Sequence, residues 1–257
     1  EAPLLVLAEG HRSAAELSFG LAARAYEFTP HKSGEKKAPG AVTLAVTAPE
    51  AVAAEAAPLA ALAEGIFFTR DLAVAINDWV MIARMANKVR SREAMIMEAI
   101  FDYHPMFAVK TLNMQTVDTA HIEGGDVLVA RHDILMIGIG ARSTPETVDL
   151  LVEHFKALKK PQHILVQELP MTPESFIHLD MVFTLLDHDT CMIYEPVIMQ
   201  PNRYKTVLIT IDNGQVKISE ERNLLAALDR LGMPMTPILC GGSSDPWIQE
   251  REQWHSG

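Results

Sequence analysis

Two stretches of the chain lay out the same unusual order of elements, strand, strand, helix, strand, and that repetition limits the folds open to it more than any other feature. In the first, "VLVA" and "ILMIGIG" read as strands joined by the turn "RHD". A helix follows with Thr144 at its N-cap, Pro145 at its first position and Leu150, Leu151, Phe155 and Leu158 at helical spacing, and "HILVQEL" closes the unit as a strand. In the second, "FIHLDMVFTLLD" and "CMIYEPVI" flank the turn "DHDT". A hairpin around "DNG" intervenes before the helix "NLLAALDRLG" and the strand "TPILC". A unit recurring at roughly 50 to 60 residues predicts a mixed α/β chain built as a propeller or pseudo-symmetric barrel, in which the same strand edge faces the centre each time.

Residues 1–64 differ in texture. They are rich in Ala, Leu and Glu, broken by "HKSGEKKAPG", and predict a small helical segment ahead of an α/β domain over residues 65–257. The whole chain carries 22 Lys+Arg against 33 Asp+Glu, a formal charge of -11, which argues against nucleic acid or an anionic membrane as main partner. The opening "EAPLLVLAEG" lacks a basic flank and no segment approaches the length of a membrane span, so a soluble protein is expected. Cys191 and Cys240 are far apart in apolar surroundings, which fits a reducing cytoplasm and two small core residues rather than a disulfide or a zinc ribbon.

Several polar groups stand where apolar ones are expected. If "SFIHLDMVFTLL" is a strand, His178 and Asp180 point to one face of it, where a histidine and a carboxylate could act together as acid/base and orienter. An edge strand with one wet face explains the same pattern. In "HIEGGD", Glu123 and Asp126 flank a Gly-Gly pair that permits backbone conformations barred to other residues; by itself the tetrapeptide reads as a turn. Asp71 closes the apolar run of "FFTRD".

In this order, FTRD, HIEGGD, "GIGARST", FIHLD and "CGGSSDPWIQEREQW", the chain resembles the arginine deiminases of the guanidino-group-modifying (pentein) superfamily. The resemblance runs from about Gly65 to Gly257 and places residues 1–64 in a helical insertion. It implies a propeller of repeated ββαβ units with the substrate in a central channel. It also implies hydrolysis of L-arginine to L-citrulline and ammonia through a covalent amidino-cysteine intermediate, without metal or organic cofactor, in a cytoplasmic homo-oligomer. On the matching positions, His178 is the general acid and later the general base, Asp71 and Asp180 hold the guanidinium nitrogens, and Glu123 lies beside His178. Arg90 and Arg142 grip the α-carboxylate, which favours free arginine over agmatine, and Phe68 packs along the aliphatic stem. Asp126 is expected to anchor the turn and His121 to be a bystander.

The chain departs from the pattern at Gly65, where the family commonly has Asn, and at Met181, where a hydroxyl residue is usual, so a shortened or modified guanidine is an alternative substrate. The family's nucleophilic cysteine belongs beyond the "EREQW" motif. The chain is therefore expected to be the central portion of such an enzyme and inactive by itself. The alternatives are an amidinotransferase, a non-catalytic guanidine-binding relative, and a metallohydrolase using His121, Glu123, Asp126, His178 and Asp180, which lacks tight ligand spacing.

Overall fold

The computed structural model describes residues 68–104, 106–107, 109–114, 120–199 and 202–256. The helical segment expected over residues 1–64 lies outside the described residues. The chain divides into two compact units: the described residues up to Ile82 with Asn87–Asn113 form one, and Ala83–Ala86 with the residues from Met114 onward form the other.

In the first unit a 3-10 turn over Thr69–Asp71 leads into strands β1 (Ala73–Ile76) and β2 (Trp79–Ile82). The two are antiparallel, and Asn77 takes a left-handed φ of 55° in the turn between them, a conformation asparagine tolerates. All four residues of β2 are buried. Helix α1 (Ser91–Tyr103) then returns the chain to β3 (Lys110–Asn113), which pairs parallel to β2. This is a third copy of the strand, strand, helix, strand order, one that the sequence pattern did not reveal.

In the second unit, β4 (Val127–Arg131) and β5 (Ile134–Ile139) pair antiparallel, helix α2 (Pro145–Leu158) follows, and β6 (Gln162–Glu168) pairs parallel to β5. The first predicted module is thus found as read. Helix α2 buries Thr147, Val148, Leu151, Val152 and Phe155, one face at helical spacing. Leu158 continues that face but is the last residue of the helix and is 42% exposed. Thr144 sits at the N-cap, but its hydroxyl accepts from the His121 amide at 3.3 Å rather than capping its own helix.

The second module differs from its prediction in two ways. Residues 174–181 form two single-turn 3-10 elements, Glu174–Phe176 and Leu179–Met181, and only β7 (Phe183–Leu185) is a strand. His178 and Asp180 are therefore not neighbours on one strand face. Strand β8 (Thr190–Ile193) stops early, because Pro196 supports a short helix, α3 (Glu195–Ile198), in place of further strand. The "DNG" hairpin is present as β9 (Thr206–Asp212) and β10 (Gln215–Glu221), with Asn213 and Gly214 both at positive φ, but it extends the first module's sheet through β9 and β6. Helix α4 (Leu224–Arg230), capped by the Asn223 side chain on the Ala226 amide, leads to β11 (Thr236–Leu239), parallel to β8.

The sheets run β10-β9-β6-β5-β4 and β11-β8-β7. Met136, Leu165 and Leu208 share one face of the larger sheet and join Phe183, Ile193, Leu224 and Leu228 in a continuous core. Polar helix α5 (Pro246–Ser256) is fastened by two buried amides: Gln249 Oε1 accepts from the Glu195 amide at 2.9 Å, and Gln253 Nε2 donates to the Ser175 carbonyl at 3.0 Å. Cys191 and Cys240 are both buried free thiols. Among the described residues no helix is long and apolar enough to cross a membrane.

Candidate active site

The second unit brings Glu123 and His178, 55 positions apart in sequence, into direct contact. The segment before Glu123 is pinned by an isolated bridge between Ile122 and Arg84, with amide-to-carbonyl bonds of 2.9 and 3.1 Å in the two directions. Glu123 is fully buried. Its Oε2 lies 2.9 Å from His178 Nε2, and its Oε1 accepts from the Ala86 amide at 3.0 Å. Arg142 Nη1 stands 3.7 Å from the same Oε1. Burial alone would raise the Glu123 acid, but the hydrogen bonds from His178 and the Ala86 amide and the charges of His178 and Arg142 hold it below the ordinary carboxylate value.

Gly124–Asp126 is a 3-10 turn. Left-handed φ among the described glycines falls at Gly214, Gly232, Gly241 and Gly242, so the expectation that Gly124 and Gly125 supply an unusual backbone conformation is not met. Both are buried. Asp126 is also fully buried; Oδ2 accepts from Ser143 Oγ at 2.6 Å and Oδ1 from the Leu179 amide at 2.9 Å. Burial outweighs these bonds and the nearby His178 charge and pushes its acid up to about 7, with the charge of Asp180 acting in the same direction as burial. His121 contributes main chain only to this network, its carbonyl accepting from the Thr144 amide at 2.9 Å.

Asp180, read from the sequence as a same-face partner of His178, instead lies inside the Leu179–Met181 turn, where its carbonyl accepts from Thr184 Oγ1 at 3.0 Å. Its charge is felt at Asp126.

In the first unit, Asp71 ends its 3-10 turn in a buried position, and Arg90 Nη1 reaches its Oδ2 at 2.7 Å. Arg90 Nη2 also pairs with Glu93 Oε2 at 3.1 Å, and the guanidinium stands 5.8 Å from the centre of the Phe68 ring, a cation–π distance. Burial disfavours the Arg90 charge, yet bonds to Glu93 and Asp71 more than compensate and raise its pKa. Phe68 is 68% exposed, so core packing does not account for it.

Glu93, Ser143 and Gly138 were missed at the sequence level. The i, i+3 spacing of Arg90 and Glu93 at a helix start was a readable signal. No local pattern marks Ser143 or Gly138, whose roles come from segments remote in sequence. Burial pushes the Cys191 thiol up to about 11 and raises that of Cys240, which disfavours the reactive thiolate at both positions.

The family model for arginine deiminase matches residues 55–257. The chain is 31% identical over 196 residues to the arginine deiminase of Oenococcus oeni, covering 75% of this chain and 47% of that protein. It is 32% identical over 200 residues to the arginine deiminase of Bacillus cereus strain B4264, covering 75% and 48%. The chain thus spans about half the length of the curated relatives it matches. Among solved structures it is similar to the N-terminal domain of ArgZ, an arginine dihydrolase from the ornithine-ammonia cycle in cyanobacteria, at a TM-score of 0.43 and 24% identity over 52% of this chain and 45% of that one. A dimethylarginine dimethylaminohydrolase gives a TM-score of 0.37 at 19% identity, over 48% and 46%.

Proposed function

Since the chain belongs to the arginine deiminase family, we propose that it carries the acid–base and substrate-holding part of an enzyme that hydrolyses L-arginine to L-citrulline and ammonia. The observation that carries this reading is the buried His178–Glu123 pair, an imidazole held by a carboxylate at 2.9 Å. Buried carboxylates suit a guanidinium, which brings a neutralising charge and five donors.

In the proposed reaction a cysteine thiolate attacks the guanidinium carbon, forming a C–S bond. His178, as imidazolium, gives a proton to the departing nitrogen, and the C–N bond breaks to release ammonia. Neutral His178 then takes a proton from water as the water oxygen attacks the amidino carbon, and the C–S bond breaks to return thiolate and citrulline. Glu123 stabilises the imidazolium at each stage. Asp71 and Asp180 hold guanidinium nitrogens, Arg90 and Arg142 the α-carboxylate, and Phe68 the stem. With Cys191 and Cys240 buried, the thiolate is assigned to a part of the whole protein beyond these residues.

The finer architecture belongs to the same proposal: a pentein propeller of ββαβ modules over residues 65–257, preceded by a helical segment, in a cytoplasmic homo-oligomer. Three modules with one antiparallel and one parallel pairing each support it. A second reading, a guanidine-binding relative without turnover, is favoured by the burial of both thiols. The test is citrulline release from arginine by the whole protein. Turnover that vanishes in His178→Ala and survives chelators supports the deiminase, whereas arginine binding with no turnover supports the second reading. Activity lost on chelation and restored by metal would sink both.

A further inference from the structure

We propose that Asp126 is a positioning residue for the His178–Glu123 pair, its two carboxylate oxygens tying the segment that carries Glu123 to the segment that carries His178. The inference rests on the reading of that pair as the acid–base machinery. The connections form a closed circuit. The Glu123 amide donates to Ser143 Oγ at 3.1 Å, and Ser143 Oγ donates to Asp126 Oδ2 at 2.6 Å. Asp126 Oδ1 accepts from the amide of Leu179, the residue after His178, at 2.9 Å, and His178 Nε2 closes the circuit on Glu123 Oε2 at 2.9 Å. Glu123, Asp126, Ser143 and Leu179 are each fully buried, and His178 is 7% exposed.

Anchoring its own turn does not explain Asp126. The turn is closed by main chain, with the Asp126 amide donating to the Glu123 carbonyl at 3.0 Å. The side chain instead spends both oxygens on residues 17 and 53 positions away, and burying a carboxyl group is costly unless it is fully bonded. Strand β5 is shaped to the same contact: a Cβ on Gly138 would stand 2.5 Å from Asp126 Oδ1 and 2.9 Å from Leu179 Cβ. An acid–base pair works within a tolerance of about half an ångström, and this circuit fixes both partners from opposite sides.

The decisive measurement is the titration of His178, followed by NMR on histidine-labelled protein and assigned by its loss in His178→Asn. In Ser143→Ala, which keeps the Asp126 carboxyl group and removes one hydroxyl, the His178 midpoint is expected to fall by about half a pH unit or more as the Glu123 contact loosens. Ser143→Thr, which keeps the hydroxyl, restores it toward wild type. Asp126→Asn is expected to lower it as well, because an amide nitrogen, which cannot accept, then stands in place of one of the two oxygens that hold Ser143 Oγ and the Leu179 amide. An unchanged His178 midpoint in Ser143→Ala, with only the melting temperature reduced, overturns the proposal and leaves Asp126 a structural residue. If Asp126→Asn fails to fold, Ser143→Ala still decides. Arginine affinity, measured by calorimetry on the same proteins, tests the proposed function separately: a wild type that binds no arginine defeats that function, while the titration continues to decide the role of Asp126.

Discussion

Glu123 and Asp126 are three residues apart and both fully buried, yet their acids move in opposite directions. Burial is the largest influence on each, but Glu123 faces two cations and an amide, whereas the bonds to Asp126 fall short of its desolvation and the charge of Asp180 adds to it. The consequence for stability has a definite sign. An Asp126 acid raised from 3.8 to about 7 keeps, in the folded state, a proton that the unfolded chain releases near pH 4. Its contribution to stability is therefore fully present below about pH 4 and is lost as pH rises toward 7, at up to about 1.4 kcal/mol per pH unit. Asp126→Asn is expected to remove that slope, so that the stability of the variant relative to wild type rises between pH 4 and 7 in urea denaturation. A flat difference across this window would show Asp126 to be ionised throughout. The Glu123 contribution has the opposite sign and lies below this window, since its lowered acid is lost only as pH falls through the folded value.

At the scale of elements, two of the three ββαβ modules were legible because their strands are continuous apolar runs and their helices carry an apolar face. The module around β1, β2 and β3 was not, since its strands are four residues long, β3 reads "KTLN", and the chain visits the second unit at Ala83–Ala86 between β2 and α1. The run "FIHLDM" misled in the other direction. Its apolar character suggested a strand, but the Leu179 amide is taken by Asp126 and His178 by Glu123, so the backbone turns instead of extending. Helix α2 offers the plainest energetic check. Phe155 is 2% exposed at the centre of its buried face, and Phe155→Ala is expected to cost about 3–5 kcal/mol in chemical denaturation. A loss under about 1 kcal/mol would mean that the helix does not cover the sheet.

For the whole molecule, the charge of -11 and the carboxylates of the site favour a cationic ligand, and the proposed roles of Arg90 and Arg142 add a demand for a carboxylate on the same ligand. Agmatine, which has the guanidinium but no carboxylate, is expected to bind at least about tenfold more weakly than L-arginine by calorimetry, the loss of one charge-assisted contact being worth 1.5–3 kcal/mol. Equal affinity would remove both arginines from the carboxylate role. The sequence by itself determined the alternation of strands and helices in two modules, the ordered motifs that carry the family, and the burial of both cysteines. Periodicity encodes which face of an element is apolar, and motifs encode which chemical groups are present. Only the tertiary structure decided that Glu123 meets His178, that Asp126 reaches Ser143 and Leu179, and that Arg90 pairs with Asp71 and Glu93. These contacts span separations of up to 55 positions, and hydrogen bonds of about 3 Å between remote segments depend on how the backbone is placed in space, which no local pattern records.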